Sequence, residues 1–191
     1  MTSGQYLILG ALVLFSCGVK TPQQSSDSNN YADPIATLSW LDFDVKKQSS
    51  SHDIGKFGRV RIPGKWYHST LNGNTKLYGR YVYENNNYDI LIVDLGVLDT
   101  VSFYTKGMTD KEFVNKSYEQ GLSFWNGKEK GKIETIEENT DNVIGKLTVD
   151  PTKKIFFLFG LRDNYSMTLY FIPSNPDDKK EIELLRKVFN E

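Results

Sequence analysis

The sequence predicts an α+β fold: an antiparallel sheet flanked by helices on both faces, an α/β/α sandwich. Three observations carry that expectation. Short runs rich in Tyr, Val, Ile and Phe fall into two series, each punctuated by Asn, Asp, Gly and Pro. One strand candidate, Ile155-Phe-Phe-Leu-Phe159, has no polar face and so needs cover on both sides. Two segments with helix-start chemistry supply that cover, one between the two series and one at the end of the chain.

The elements follow in order. Ala32 to Val45 carries Ile35, Leu38, Trp40, Leu41, Phe43 and Val45, which could pack on the domain as a strand or a helix. Lys46 to His52 is polar and serine-rich and reads as a break. Phe57 to Ile62 alternates and runs into Pro63-Gly64, a strand entering a turn. Leu77 to Tyr83 and Tyr88 to Leu95 form a hairpin around Glu84-Asn85-Asn86-Asn87, whose asparagines tolerate left-handed backbone. Thr109-Asp-Lys-Glu112 is a capping box, in which hydroxyl and carboxylate each satisfy a free backbone donor. The helix it opens places Val114, Tyr118, Leu122 and Trp125 on one stripe. The second strand series is Lys132 to Glu137, Asn142 to Val149, Lys154 to Leu161 and Tyr165 to Ile172. Ser174-Asn-Pro-Asp-Asp178 then puts cap, proline and acidic first turn in the favoured order, and Ile182, Leu185 and Phe189 line the buried side.

Ahead of these elements, Tyr6 to Phe15 is an uninterrupted apolar run. A membrane-spanning helix needs about 20 such residues and a signal-peptide core only about 7 to 15. The run ends at Leu14-Phe15-Ser16-Cys17, which resembles the lipobox of bacterial lipoproteins. That resemblance implies a diacylglycerol on the Cys17 thiol, cleavage before it, and a membrane anchored through the lipid. Gly18-Val19-Lys20 lacks the Asp at +2 associated with inner-membrane retention, so the implied place is the outer membrane, facing the periplasm. The stretch after Cys17 is polar and reads as a tether. The expected organisation is therefore a signal peptide over 1–16, a tether over 17–31, an extension over 32–52 and a globular domain over 53–191.

The strand ending Val60-Arg-Ile62-Pro63-Gly64-Lys65-Trp66, followed by hairpin, inserted helix, second strand series and terminal helix, resembles the PsbP-like superfamily, named for an extrinsic subunit of photosystem II. The resemblance covers Phe57 to Phe189. It implies the sandwich fold and a tendency to bind proteins outside the cytoplasm, with no shared catalytic residues to carry over.

Composition excludes several classes. The 23 basic and 24 acidic residues give a net charge of −1, without the basic excess that phosphate binding requires, so nucleic acid is not the expected partner. A single cysteine permits no internal disulfide. The two histidines, His52 and His68, lie in expected loops without metal-ligand spacing, so no metal and no cofactor is expected. No Gly-x-Ser-x-Gly elbow or phosphate loop is present. Carboxylates at Glu134, Glu137, Glu138 and Asp141 suit a glycosidase pair only if held about 5 to 9.5 Å apart; as strand-end residues they read as solvated surface.

Aromatic content is high, at 13%. Tyr78, Tyr81, Tyr83 and Tyr88 cluster on the first hairpin beside the asparagines. Exposed in a row they would form a candidate binding surface for sugar or peptide; as sheet residues they would be packed away. The expected function is a non-enzymatic envelope lipoprotein whose domain binds a protein partner, as an accessory subunit of a larger assembly. The alternatives are an envelope hydrolase acting on glycan through paired carboxylates, and a glycan- or peptide-binding module using the tyrosine hairpin.

Overall fold

A computed structural model describes residues 43–69, 79–128 and 131–191, with the backbone alone considered at 126–128. Residues 14–17, the tether, most of the 32–52 extension and Tyr78 lie outside the described residues. The fold is α+β. Its strands are β1 (Phe43–Asp44), β2 (Ser49–Asp53), β3 (Arg59–Pro63), β4 (Tyr67–His68), β5 (Arg80–Glu84) and β6 (Ile90–Val97). Helix α1 (Asp110–Lys128) follows, then β7 (Lys132–Glu138), β8 (Asn142–Asp150), β9 (Lys153–Arg162), β10 (Tyr165–Ile172) and helix α2 (Asp178–Asn190). Among the described residues no helix is long and apolar enough to cross a membrane.

Seven strands form one antiparallel sheet in the order β4-β5-β6-β10-β9-β8-β7. Strands β7 to β10 form a meander, and β6 joins it through β10, pairing Ile90 with Ile172 and Val97 with Tyr165. Arg80 and Asp94 face each other across β5 and β6 in a two-pronged ion pair with 2.6 Å contacts, which fixes the register at that end.

Alternation along β9 divides the core. Phe156 and Leu158 join a cluster with Leu185, Val188 and Phe189 of α2 and with Val60 and Ile62 of β3. Ile155, Phe157 and Phe159 join another cluster with Trp125 of α1, against which Tyr118 and Leu122 also pack. A strand without a polar face is thus buried on alternate sides by different elements, which is why its sequence reads as one apolar run. Both helices start as their caps dictate. The Glu112 carboxylate accepts from Thr109 N–H at 2.9 Å, and Glu112 N–H donates to the Thr109 hydroxyl at 3.3 Å. Asp177 caps α2 by accepting from Lys180 N–H.

The segment Lys46 to His52, read as a polar break, instead contains β2, which with β1 and β3 builds a separate three-stranded sheet. Ser50 ties this strand to the turn that follows β3 through its hydroxyl. Ser50 Oγ donates to Gly64 C=O at 2.9 Å and accepts from Trp66 N–H at 2.8 Å. Residues 43–52 therefore belong with the folded domain. The strand ending at Pro63 lies in this small sheet rather than the large one.

Candidate functional site

The described surface has an open cleft of about 950 Å³ at the end of the sheet where β5 turns into β6 and β10 leads to α2. Its walls are the asparagine turn, the Gly64-Lys65 turn, Ser174-Asn175 and the first turn of α2. Trp66 and Phe171 form part of its lining but are 4% and 2% exposed, so they support the floor rather than offer it. What a ligand meets is a mixture of amide, carboxylate and ammonium groups with the apolar surfaces of Pro63, Tyr88 and Leu184.

Asn85 organises the hairpin turn. Its side-chain oxygen accepts from Asn87 N–H at 2.9 Å and Asp89 N–H at 3.1 Å, while its amide donates to the Asp89 carboxylate at 2.9 Å. Tyr88 N–H donates to Asn85 C=O at 3.0 Å, closing a tight turn. Tyr88 itself has φ of 64°. That left-handed place in a short hairpin loop is usually taken by Gly or Asn, and a bulky side chain there is strained. The Tyr88 side chain is 67% exposed, so the strain is not offset by burial. Around it the frame is fixed. Tyr67 Oη donates to Asn86 Oδ1 at 2.9 Å. Asp89 also accepts from Ser174 N–H at 2.8 Å and from its hydroxyl at 2.9 Å, tying the turn to the β10–α2 connection. Burial, the Glu84 carboxylate and the Tyr88 phenol push the Tyr67 hydroxyl above its ordinary value.

The carboxylates of the cleft hold structure. Asp89 has the partners just given, Asp177 caps α2, and Glu181 accepts from Asp177 N–H at 3.3 Å. Glu181 is 8% exposed; burial raises its carboxyl above the usual range, opposed by the Asp177 N–H and reinforced by Asp89 and Asp177. Of the carboxylates singled out in the sequence, Asp141 accepts from the Asn142 amide at 2.8 Å and the three glutamates are ion-paired away from the cleft. Glu134 meets Lys132 at 2.8 Å and Lys146 at 3.3 Å, Glu137 meets Arg186, and Glu138 meets Lys111 at 3.6 Å.

Among the described residues the hairpin tyrosines do not form an exposed row. Tyr81 and Tyr83 are 4% and 0% exposed, because β5 alternation turns both toward the small sheet, a layer absent from the sequence-based expectation. Tyr81 Oη donates to Ile54 C=O at 2.9 Å. Tyr88 alone among the described three reaches solvent. The histidines also depart from expectation, since both lie in strands. His52 on β2 and His68 on β4 pack on Tyr83 with ring centroids 4.4 and 5.5 Å away. Burial drives the Tyr83 hydroxyl well above its ordinary value. Among the described residues no three His, Cys, Asp or Glu side chains gather as metal ligands.

Sequence reasoning missed the Asp89–Ser174 link and the strain at Tyr88. The run Asn85-Asn86-Asn87 signalled left-handed backbone, but that conformation falls on the next residue.

No protein-family model matches this chain, and no curated protein does. Among solved structures, it is similar to cyanobacterial PsbP (CyanoP) from Synechocystis sp. PCC 6803, at 12% identity and a TM-score of 0.42, over 77% of this chain and 86% of that one. It is also similar to the Saccharomyces cerevisiae Ran-binding protein Mog1p, at 14% identity and a TM-score of 0.46, over 74% of this chain and 93% of that one.

Proposed function

We propose that this protein is a non-enzymatic accessory protein of the cell envelope, held to a bacterial outer membrane through Cys17, whose domain binds a protein partner at the Tyr88 tip. The observation that carries the reading is Tyr88: a large aromatic side chain, 67% exposed and held at φ of 64° by a fully hydrogen-bonded turn. Backbone strain kept at an exposed aromatic is a mark of a binding position rather than of packing. A rigid tyrosine presents wide contact area with little entropy left to lose, which is how aromatic anchors serve protein interfaces. The structural use of Asp89, Asp177 and Glu181 favours binding over hydrolysis. In the same reading the two helices cover opposite faces of the large sheet as an α/β/α sandwich, supported by the division of β9 between two clusters. That architecture leaves loop ends, not sheet faces, for recognition.

The test is a photo-crosslinking residue in place of Asn87, in living cells, with and without Tyr88→Gly. The expected result is one recurrent protein adduct that the glycine variant abolishes. The same variant should raise the stability of the purified protein by up to about 1 kcal/mol, since the strain is gone. Stability gained while the adduct is lost separates function from folding. An adduct unchanged by Tyr88→Gly, or formed equally from Thr140 in the β7–β8 turn, would remove the tip as the binding surface.

A further inference from the structure

We propose that the β1–β2 turn, Val45 to Gln48, with Lys65 beside it, is a direct contact of the folded domain with an anionic lipid surface. Val45 is 70% exposed, more than any other large hydrophobic side chain among the described residues. Its exposure is built in. Asp44 Oδ1 accepts from Lys46 N–H at 2.9 Å and Lys47 N–H at 3.1 Å, and Gln48 Nε2 donates to Val45 C=O at 2.7 Å. Gln48 completes the turn at φ of 50°. A turn closed this thoroughly keeps Val45, its first residue, in solvent.

The charges around that turn agree. Lys46 and Lys47 are exposed and form no ion pair among the described residues. Gly64 N–H donates to Gln48 C=O at 2.8 Å, which brings the exposed Lys65 alongside, its ammonium 5.4 Å from the Phe43 ring centre. The one carboxylate in the turn, Asp44, is occupied by the backbone of the two lysines. An exposed valine in one turn with two lysines, and a third lysine beside that turn, suits the boundary of a bilayer: valine enters among the acyl chains while lysines reach the phosphates. Each lysine near an anionic surface strengthens association by about fivefold. With a net charge of −1 on the whole chain, this concentration of basic charge is local rather than general. The contact does not depend on the anchor at Cys17. It goes beyond the partner-binding reading, because Lys65 also lines the cleft and a docked turn would place Tyr88 beside the membrane.

The experiment uses the full chain with Cys17→Ser, so that a cysteine introduced as Val45→Cys is the one site for a polarity-sensitive nitrobenzoxadiazole label. A companion protein carries the label through Thr140→Cys, in a turn at the opposite end of the strands. Vesicles are phosphatidylcholine alone or phosphatidylcholine with phosphatidylglycerol. The quantity read is the surroundings of the label, not retention of the chain on the vesicle. The expected result is a blue shift with at least a twofold rise in emission at 45, on phosphatidylglycerol vesicles only. High salt, and the pair Lys46→Glu with Lys47→Glu, should each abolish it, while the label at 140 stays unchanged. An equal response on both lipids, an equal response at 140, or a shift surviving the charge reversal would overturn the proposal. So would the same shift with heparin, which offers anionic charge without an apolar interior. None of these outcomes touches the partner-binding reading, which the crosslinking at Asn87 tests separately.

Discussion

Helix α2 meets the sheet through ion pairs and hydrogen bonds, among them Arg186 with Glu137 of β7, around an apolar stripe, whereas α1 meets it chiefly through aromatic rings. At the start of α2, Asp178 lies 2.7 Å from Lys146 and 2.6 Å from Lys154, on neighbouring strands of the sheet. At its end, Arg162 donates to Phe189 C=O at 2.9 Å, a cation placed where the helix exposes carbonyls. Under α1 the contacts are Tyr118 with Phe157 and Phe159, and Trp125 with Tyr170. The ion pair of α1, Lys111 with Glu138, is exposed at 3.6 Å. Each contact is also keyed by a glycine, with the roles exchanged. A side chain at Gly160 on β9 would strike the Phe189 ring of α2 at 2.3 Å, and one at Gly121 on α1 would strike the Phe159 ring of β9 at 2.2 Å. Helix brings the ring in one case and the notch in the other. The comparison teaches that an apolar stripe framed by charged contacts and a diluted stripe under bulky strand residues both cover β9, by different routes.

The largest effect on that cover is expected from Phe189→Ala, which empties the space over Gly160 and leaves a 3%-exposed position unfilled. Urea unfolding should show a loss of about 3 to 4 kcal/mol. Gly121→Ala sharpens the comparison by its sign. In an ordinary helix interior the change would gain about 1 kcal/mol. Here the added methyl meets a ring that is itself 5% exposed, so the same titration should show a loss of about 1 to 3 kcal/mol. A gain would mean that α1 does not approach β9 this closely.

The smallest effect separates the two helices by condition rather than by size. Lys146 and Lys154 hold the Asp178 carboxyl below its usual range through their hydrogen bonds, with burial opposing. Its folded value is depressed, so its contribution is present above the unfolded value of about 3.9 and is lost as pH falls through the folded value. Asp178→Asn should cost about 1 kcal/mol or less at pH 7, because the carboxylate is 40% exposed and screened. Raised salt should shrink that difference, and it should vanish in acid. Thermal unfolding of parent and variant across pH checks this, with Gly121→Ala as the pH-independent control.

The parts of the fold that were legible are those whose signal is local. The meander of β7 to β10 matches the expected strands within a residue or so, because each turn carries its own Asn, Asp or Pro and each strand its own alternation. The start of α1 was legible for the same reason, since Thr109 and Glu112 act on backbone a few residues away. Helix α2 starts later than its signals suggest: Asp177, expected in the acidic first turn, is the cap, and Pro176 lies ahead of the helix. The small sheet was not. Ser49-Ser-Ser-His-Asp53 has no hydrophobic alternation, and its stability comes from partners far along the chain, such as Trp66 and Tyr83. Packing of Tyr81 and Tyr83 as sheet residues was expected under helices, and missing that layer hid that the small sheet also covers them. For the site, Tyr88 was visible as a residue, while its strain and the Asp89–Ser174 tie depend on tertiary closure.

The pairing of β6 with β10 has a consequence for how the chain folds. It joins residues 90–97 to residues 165–172 across most of the sequence between them, whereas the meander from β7 to β10 needs only short loops. Chain-closure entropy makes the distant pairing the slower one. The meander is therefore the natural nucleus, and β4 to β6 must wait for the edge of β10 to emerge from synthesis before they have a template. Substitutions in the meander should slow folding, and substitutions in β5 or the small sheet should chiefly speed unfolding. The cleft, assembled from both halves, would be the last part of the molecule to exist.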